Sequence, residues 1–441
     1  MHLLSLVRSR PILWNMAALL GGSAGAQLFL AAATLLTARI LGRDAYGQYA
    51  ACFALAALTS TVFTFGMDQW LLQRARDSRT ELDGHMTNSL LVRLLVGLPW
   101  FIGLGLLAPR LNPSAYPRDL MWVMAGTVWA DGLLAACLSA FKATLRNHVT
   151  SFLMAGQAGA LLLATLALMR YGDRLVLHFA GARLLISLVA VAGTLIWLFG
   201  QHTLRTRLEG IAPMLRASVP FAISDALTLV YLKIDVTIVA SQLNERAAGL
   251  YAPAGSLISS VLFIPNAIFV VMVPVLSRLM YELEQASPAQ RLSLHRQLQS
   301  IMTRLMVGMS GVGVGLSLLV WLSAGPLVRL FLGPDYLETG GVLQILGLLL
   351  LFKAGSYGIA VLLVAAEQQR QRVQVQAIAA AFNAGANLLI IHQFGIVGVA
   401  WVYVLTEALL LAGYTFVAWR WWGAMNTRAA AWNLTHETPH P

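Results

Sequence analysis

Apolar stretches of roughly 20 residues recur along the whole chain, and each is long enough to cross a hydrocarbon core about 30 Å thick as an α-helix. A soluble chain of 441 residues would split into domains that each need polar residues to cover their surface. Here 58% of residues are hydrophobic and only 11% charged, and the mean hydropathy is +0.71. The lipid is therefore the solvent. Only helices and closed barrels satisfy their own backbone in a bilayer. A barrel would show short segments of alternating hydrophobicity, whereas these stretches are apolar on every face and carry Ala, Leu and Gly throughout. The expected fold class is an all-α polytopic membrane protein with about twelve transmembrane helices.

The pattern predicts helices over 16–38, 45–66, 88–108, 120–141, 150–169 and 175–199 in the first half. The second half reads 218–242, 247–275, 301–324, 339–365, 373–392 and 395–419. A polar stretch holding Arg205, Arg207, Glu209 and Arg216 separates the two sets. The expected organisation is an N-terminal lobe (1–200), a cytoplasmic linker (201–217), a C-terminal lobe (218–420) and a cytoplasmic tail (421–441). Arg8 and Arg10 precede the first apolar run as they would in a signal peptide, but the run is too long for one and is read as a retained helix.

The net charge of +11 comes almost wholly from 27 arginines, against three lysines. On an even helix count with the N-terminus inside, the inner connections hold 17 Lys and Arg and the outer ones 8. Cytoplasmic loops retain positive charge, so both termini are expected in the cytoplasm. Topology thus explains the basic balance, and nucleic acid is set aside as a partner. Cys52 and Cys137 lie inside apolar stretches without metal-ligand spacing, and the nine histidines are scattered. Packing is their expected role, and neither a metal nor a cofactor is implied.

The halves share a weak repeat at an offset of 202 residues: ARILGRDAYGQYA from Ala38 and ASQLNERAAGLYA from Ala240. Ala38, Leu41, Ala45, Gly47, Tyr49 and Ala50 match Ala240, Leu243, Ala247, Gly249, Tyr251 and Ala252. With six helices between the copies, both start on the same side of the membrane, which makes a parallel repeat of the kind transporters use.

Other residues carry a family resemblance. Gly42, Tyr46, Gly47 and the GMDQWLLQRAR stretch from Gly66 stand in the first half, and Pro220, Asp235, Gly249 and Tyr251 open the second. Pro274, FLGPDYLETGGVLQIL from Phe331, Asn383, Asn387, Gly395, Gly398 and Ala400 follow. In order and spacing the chain resembles the polysaccharide or O-antigen flippases of the multidrug/oligosaccharidyl-lipid/polysaccharide exporter superfamily. That resemblance implies two six-helix lobes around a central cavity that opens alternately to either side while a polyprenyl-pyrophosphate-linked glycan turns over.

An ionisable residue at a helix centre costs about 2.5 to 3.5 kcal/mol on the insertion scale, so it should face the bundle interior or water. Asp131, Arg183, Asp225, Lys233, Asp235, Lys353 and Glu407 occupy such positions. At about 100° per residue, Lys233 and Asp235 lie roughly 80° to either side of Asp225. Two readings stand. Lys233 and Lys353, with Arg183 and Arg39, could line a cationic cavity for a diphosphate, while Asp131, Asp225, Asp235 and Glu407 take part in ion coupling. Alternatively, these groups form structural ion pairs. Arg93 and Arg304 lie closer to helix ends and are read as interfacial. Asn383 and Asn387, one turn apart, are expected to hydrogen-bond between helices. The glycines at 308, 311, 313 and 315 are expected to be close-packing positions, and the Asn433-Leu434-Thr435 sequon falls in the cytoplasmic tail.

The leading function is a flippase for a lipid-linked glycan, with membrane lipids, a polysaccharide polymerase and other membrane proteins of the same assembly pathway as candidate partners. A drug antiporter of the same superfamily would place carboxylates without lysines around a cation. A glycan polymerase or ligase would need a sizeable outer loop, and the longest here is about 325–338. Reporter fusions after Gln201 and after Ala286 should both score cytoplasmic; an external score at either position would require the topology to be redrawn.

Overall fold

The computed structural model describes residues 10–73, 79–143, 147–172, 174–200 and 208–436. The helices are α1 (Arg10–Thr59), α2 (Thr61–Thr64), α3 (Met67–Gln73), α4 (Arg79–Leu111), α5 (Arg118–Ala143), α6 (Asn147–Arg170) and α7 (Val176–Phe199). After them come α8 (Ile211–Gln242), α9 (Glu245–Val261), α10 (Phe263–Gln285), α11 (Pro288–Leu327), α12 (Leu337–Ala365) and α13 (Gln369–His436). No strand occurs among the described residues. Arg8, Arg74, Arg76, Arg205 and Arg207, which carry part of the orientation argument, lie outside the described residues, as do 201–207 of the expected linker and the side chains of the tail sequon.

Nine stretches among the described residues are long and apolar enough to span a bilayer. Two of these are broken by a glycine that no helix accommodates: Gly42 at φ 74° inside α1 and Gly395 at φ 55° inside α13. Each therefore folds back and crosses twice. The charged helix α8, 32 residues long, is long enough to span as well, which would bring the crossings among the described residues to twelve. The all-α polytopic fold is thus the one expected, and the break at Gly42 separates expected helices 1 and 2. Prolines 99, 109, 220, 253, 274 and 326 sit within helices. Neighbouring helices and side chains let membrane helices tolerate them.

Packing divides the chain into two compact units. The first comprises Met1–Ser260 with Ala324–Val342 and Asn387–Val399; the second comprises Val261–Ser323, Leu343–Ala386 and Ala400–Pro441.

The first unit contains both copies of the sequence repeat, and they pack on each other. A Cβ at Gly47 would overlap the carbonyl oxygen of Glu245, and a Cβ at Gly249 would overlap that of Arg43. Since 43 and 245, like 47 and 249, are equivalent at the 202-residue offset, this is a reciprocal crossing in which two backbones touch. Connecting segments then cap the helix ends in matching fashion. The Tyr336 hydroxyl donates to the carbonyl of Ala38 at 2.7 Å, and the Asn112 amide donates to that of Ala240 at 3.2 Å. Tyr116 reaches the carbonyl of Thr237 at 3.3 Å, and Thr339 that of Leu250 at 2.8 Å. Arg39 and Arg43 donate to the carbonyls of Leu330 and Asp335, at 2.9 and 3.4 Å.

A second special backbone in this unit separates α2 from α3, where Phe65 and Gly66 both take positive φ. Gly66 is needed twice over, because a side chain there would also strike the backbone of Phe221 and Ala222 on α8. An apolar core including Met67, Trp70, Met86, Phe141 and Met214 fills the space beside this break. Both cysteines are buried and unpaired, as packing residues should be.

In the second unit, Leu276, Leu279, Leu298, Met309 and Val361 form the core. Close approaches replace large side chains at Gly347 against Val320, Gly355 against Leu411 and Gly413 against Val375. The glycine cluster on α11 departs from expectation. Gly313 abuts Ala354 and Leu350, but Gly308, Gly311 and Gly315 have nothing within 4 Å of where a Cβ would sit. One position of the four uses its missing side chain for contact.

The reciprocal crossing makes a sharp prediction. Gly47→Val and Gly249→Val should each destabilise the protein by about 1 to 3 kcal/mol, the usual range for overpacking, because the atom each meets is backbone oxygen. Gly255→Ala, where nothing lies within 4 Å, is the control on the same helix. Thermal melting in detergent reads the difference, and midpoints equal to the control would refute the contact.

Candidate functional site

The charge-bearing helix α8 distributes its three ionisable side chains to different surroundings. Asp235 is buried, accepting hydrogen bonds from the Tyr251 hydroxyl at 3.1 Å and the Asn387 amide at 2.9 Å. Both bonds are internal to the first unit, and they satisfy a carboxylate that lipid could not. The ammonium of Lys233, on the other side of α8, has no hydrogen bond or ion pair among the described residues. It lies 5.9 Å from the centre of the Phe53 ring. Asp225 is half-buried and likewise has no hydrogen bond or ion pair among the described residues; the charges acting on it are Asp68 and Arg93.

Arg183 of α7 comes to the same ring as Lys233. Its guanidinium carbon is 3.9 Å from the Phe53 centroid, and Nη1 donates to the Tyr49 hydroxyl at 3.3 Å. A cation over an aromatic face gains about 0.5 to 2 kcal/mol, more when desolvated. Two cations sharing one ring also repel each other. Neither has a carboxylate within ion-pair distance among the described residues, and the charge of Asp131 acts on Arg183 only from beyond that distance, so the pair keeps a positive excess.

Asp131 of α5 lies nearby but is engaged elsewhere. Its Oδ1 accepts from the Ser187 hydroxyl at 2.7 Å and from the Gln157 amide at 2.9 Å, and Gln157 also reaches Ser187 at 3.2 Å. These three residues, with Gln27 and Arg183, give the polar lining of a cavity of about 200 Å³ within the first unit.

Of the remaining candidates, Lys353 and Glu407 form an ion pair at 2.6 Å in the second unit, with side chains 13% and 0% exposed. The ion-pair reading left open by the sequence is therefore the one found for these two. Arg39 is exposed and engaged with the Leu330 carbonyl, away from the Phe53 ring. Asn383 donates to Thr406 Oγ1 at 3.3 Å, and Asn387 to Asp235, so both asparagines bond between helices as expected.

Arg93 corrects the sequence reading. It is 0% exposed, the largest fully buried side chain, and not an interfacial one. It pairs with Asp68 at 2.7 Å and donates to the Gly132 carbonyl, while Ser139 donates to Asp68 at 2.9 Å. The break at Phe65 and Gly66 delivers Asp68 into this position. Nothing in hydropathy singles out Asp68, which falls just beyond an expected helix end. The GMDQW segment was the available signal. Tyr49, Phe53, Gln157 and Ser187 were also missed, being ordinary helix residues until their neighbours are known.

The fold is shared with solved membrane transporters and a flippase. It superposes on an inward-facing conformation of a multidrug resistance MATE family transporter of the MOP superfamily with a TM-score of 0.72, 14% identity, and 93% and 96% of the two chains covered. An outward-facing conformation of a MATE family transporter of that superfamily gives a TM-score of 0.63 at 16% identity, with 98% of each chain covered. A lipid II flippase, MurJ, in an inward closed conformation gives 0.68 at 14% identity over 90% of this chain and 86% of that one. No curated protein sequence matches the chain. The family model described as polysaccharide biosynthesis protein matches residues 36–338, more than half of the chain. The chain belongs to that family: it is a multi-pass membrane protein of polysaccharide biosynthesis with a flippase-like transporter fold.

Truncating Lys353 to Ala should leave the Glu407 carboxylate buried without a partner, at about 3 to 5 kcal/mol, and the protein should disappear from the membrane. Replacing both residues by apolar ones of similar size, Lys353→Met with Glu407→Leu, should restore abundance, since a whole buried pair is often replaceable at little cost. Immunoblots of membrane fractions distinguish the two; normal abundance of the single variant would deny the pair its structural role.

Proposed function

We propose that this protein is an alternating-access flippase that moves a polyprenyl-pyrophosphate-linked oligosaccharide from the cytoplasmic to the outer leaflet of a bacterial inner membrane. The product feeds the assembly of a cell-surface polysaccharide such as O-antigen, capsule or exopolysaccharide, where a polymerase and other membrane proteins of the pathway take it up. Both termini are cytoplasmic in this reading, and the lobes 1–200 and 218–420 alternate access around the substrate.

The observation that carries the proposal is the pair of cations at Phe53. Arg183 and Lys233 lie against one ring with no carboxylate within ion-pair distance among the described residues, the charge of Asp131 reaching Arg183 only from farther off. Each uncompensated charge inside the apolar span is expensive. A diphosphate supplies the missing negative charge, through charge-assisted hydrogen bonds roughly twice as strong as neutral ones. A drug antiporter would present the opposite polarity to its cationic substrate, and two adjacent cations would repel it. Coupling falls to the carboxylates. Asp131 and Asp235 are held by neutral donors and Glu407 by Lys353, which leaves Asp225 as the group free to exchange a proton or metal cation during the cycle.

Lys233→Ala and Arg183→Ala should each reduce glycan export by about tenfold or more, the scale of one lost charge-assisted contact of 1.5 to 3 kcal/mol, at near-normal protein abundance. Lys233→Arg keeps the charge with altered geometry and should stay partly active. Export is read from surface polysaccharide beside quantified immunoblots. Full export by both alanine variants at normal abundance would sink the cationic site.

A further inference from the structure

The cavity beside the cation pair is built for something smaller and less charged than the diphosphate. At about 200 Å³ it falls below the roughly 300 Å³ at which drug-sized ligand sites begin. A space of that size accommodates a single small ring. Its lining is divided. Gln27, Asp131, Gln157, Arg183 and Ser187 are polar, whereas Leu30, Met154, Leu161 and Ile186 supply an apolar wall.

The polar side is already ordered by its own hydrogen bonds. Ser187 and Gln157 hold Asp131 through one oxygen, Oδ1, and Gln157 is fixed through its amide nitrogen. The second carboxylate oxygen of Asp131 and the carbonyl oxygen of Gln157 are left as acceptors, and Gln27 has no hydrogen bond among the described residues. An array of acceptors with one amide, facing an apolar wall, matches a sugar ring: adjacent hydroxyls donate to the acceptors while the C–H face meets the hydrocarbon side chains. A carboxylate at Asp131 disfavours an acidic sugar placed there.

Arg183 joins the two places. It lines the cavity and also lies over Phe53 beside Lys233. A diphosphate held by Arg183 and Lys233 would therefore carry its next substituent into the cavity. We propose that this cavity is the subsite for the sugar attached directly to the diphosphate, selecting a neutral ring with adjacent hydroxyls. The inference rests on the flippase reading above and adds to it the point at which the glycan is recognised.

The test uses the full chain in lipid nanodiscs and three probes: undecaprenyl diphosphate alone, the same lipid carrying one neutral hexose or N-acetylhexosamine, and the same lipid carrying one hexuronic acid. Affinities are compared as ratios. The expected result is that at least one neutral-sugar lipid binds about tenfold or more tightly than the bare diphosphate, with no gain for the uronic acid lipid, and that Gln157→Leu erases the difference. Ser187→Ala, a smaller change, should reduce the same ratio and decides the matter if Gln157→Leu does not accumulate. Equal affinity for bare and neutral-sugar lipids in the wild type overturns the subsite while leaving the diphosphate reading intact. A neutral-sugar preference that survives both substitutions overturns its placement in this cavity, and a preference for the uronic acid lipid overturns the stated selectivity. Binding of none of the probes removes the diphosphate reading and the subsite with it.

Discussion

Every peptide group that crosses hydrocarbon must find its hydrogen bond within the chain, and every charge that enters must be compensated there. The first half of that constraint leaves helices, and in this chain it leaves helices even where the direction reverses. Gly42 and Gly395 turn the backbone in a single residue at positive φ. Only glycine populates such conformations at little cost. The second half of the constraint sorts the ionisable residues by how they are compensated, and function is read from those that are not.

Three forms of compensation are present. Arg93 with Asp68 and Lys353 with Glu407 are ion pairs, each with a partner fully excluded from solvent. Asp235 and Asp131 are single carboxylates held by neutral donors, which stabilise charge without cancelling it. Arg183 and Lys233 share an aromatic ring and a tyrosine hydroxyl, with the carboxylate of Asp131 acting on Arg183 from beyond ion-pair distance. Cation–π attraction is a fraction of what a full ion pair provides in the same surroundings. In the proposed flippase reading, that residual positive charge is where the diphosphate of the substrate binds.

The number of crossings, the helical class and the repeat were legible because each rests on local pattern: segment length, apolarity on every face, a spaced Gly-x-Tyr-Ala ending. The repeat even pointed to a contact, since glycines kept at equivalent positions in two helices are where backbones approach. Pairing among charges was not legible. Lys233 and Lys353 look alike in sequence, each a lone lysine in an apolar helix, and only the helix facing each one decides that the second meets Glu407 and the first does not. Arg93 was misread because depth was inferred from distance to a helix end. A backbone break 27 residues earlier, at Gly66, places the carboxylate that makes its burial possible. Gly308, Gly311 and Gly315 show the reverse error, in which composition suggested contacts that the packing does not make.

The same physics explains why the proposed recognition surface concentrates where the sequence was least informative. Structural pairs must be strong, because a lost partner removes the protein, and strong pairs lie between residues whose chemistry is conspicuous. Recognition of a passing substrate has the opposite requirement: groups must be ordered yet retain unused donors and acceptors. Gln157 and Ser187 fulfil it by fixing Asp131 through one oxygen and leaving the other open. Such residues are polar enough to be tolerated in a helix bundle and weak enough to exchange partners, and double-mutant coupling between membrane hydrogen bonds averages only about 0.6 kcal/mol. In the proposed reading, binding energy at this site therefore comes from several modest contacts that a substrate can also surrender, which is the condition for releasing it on the far side of the membrane.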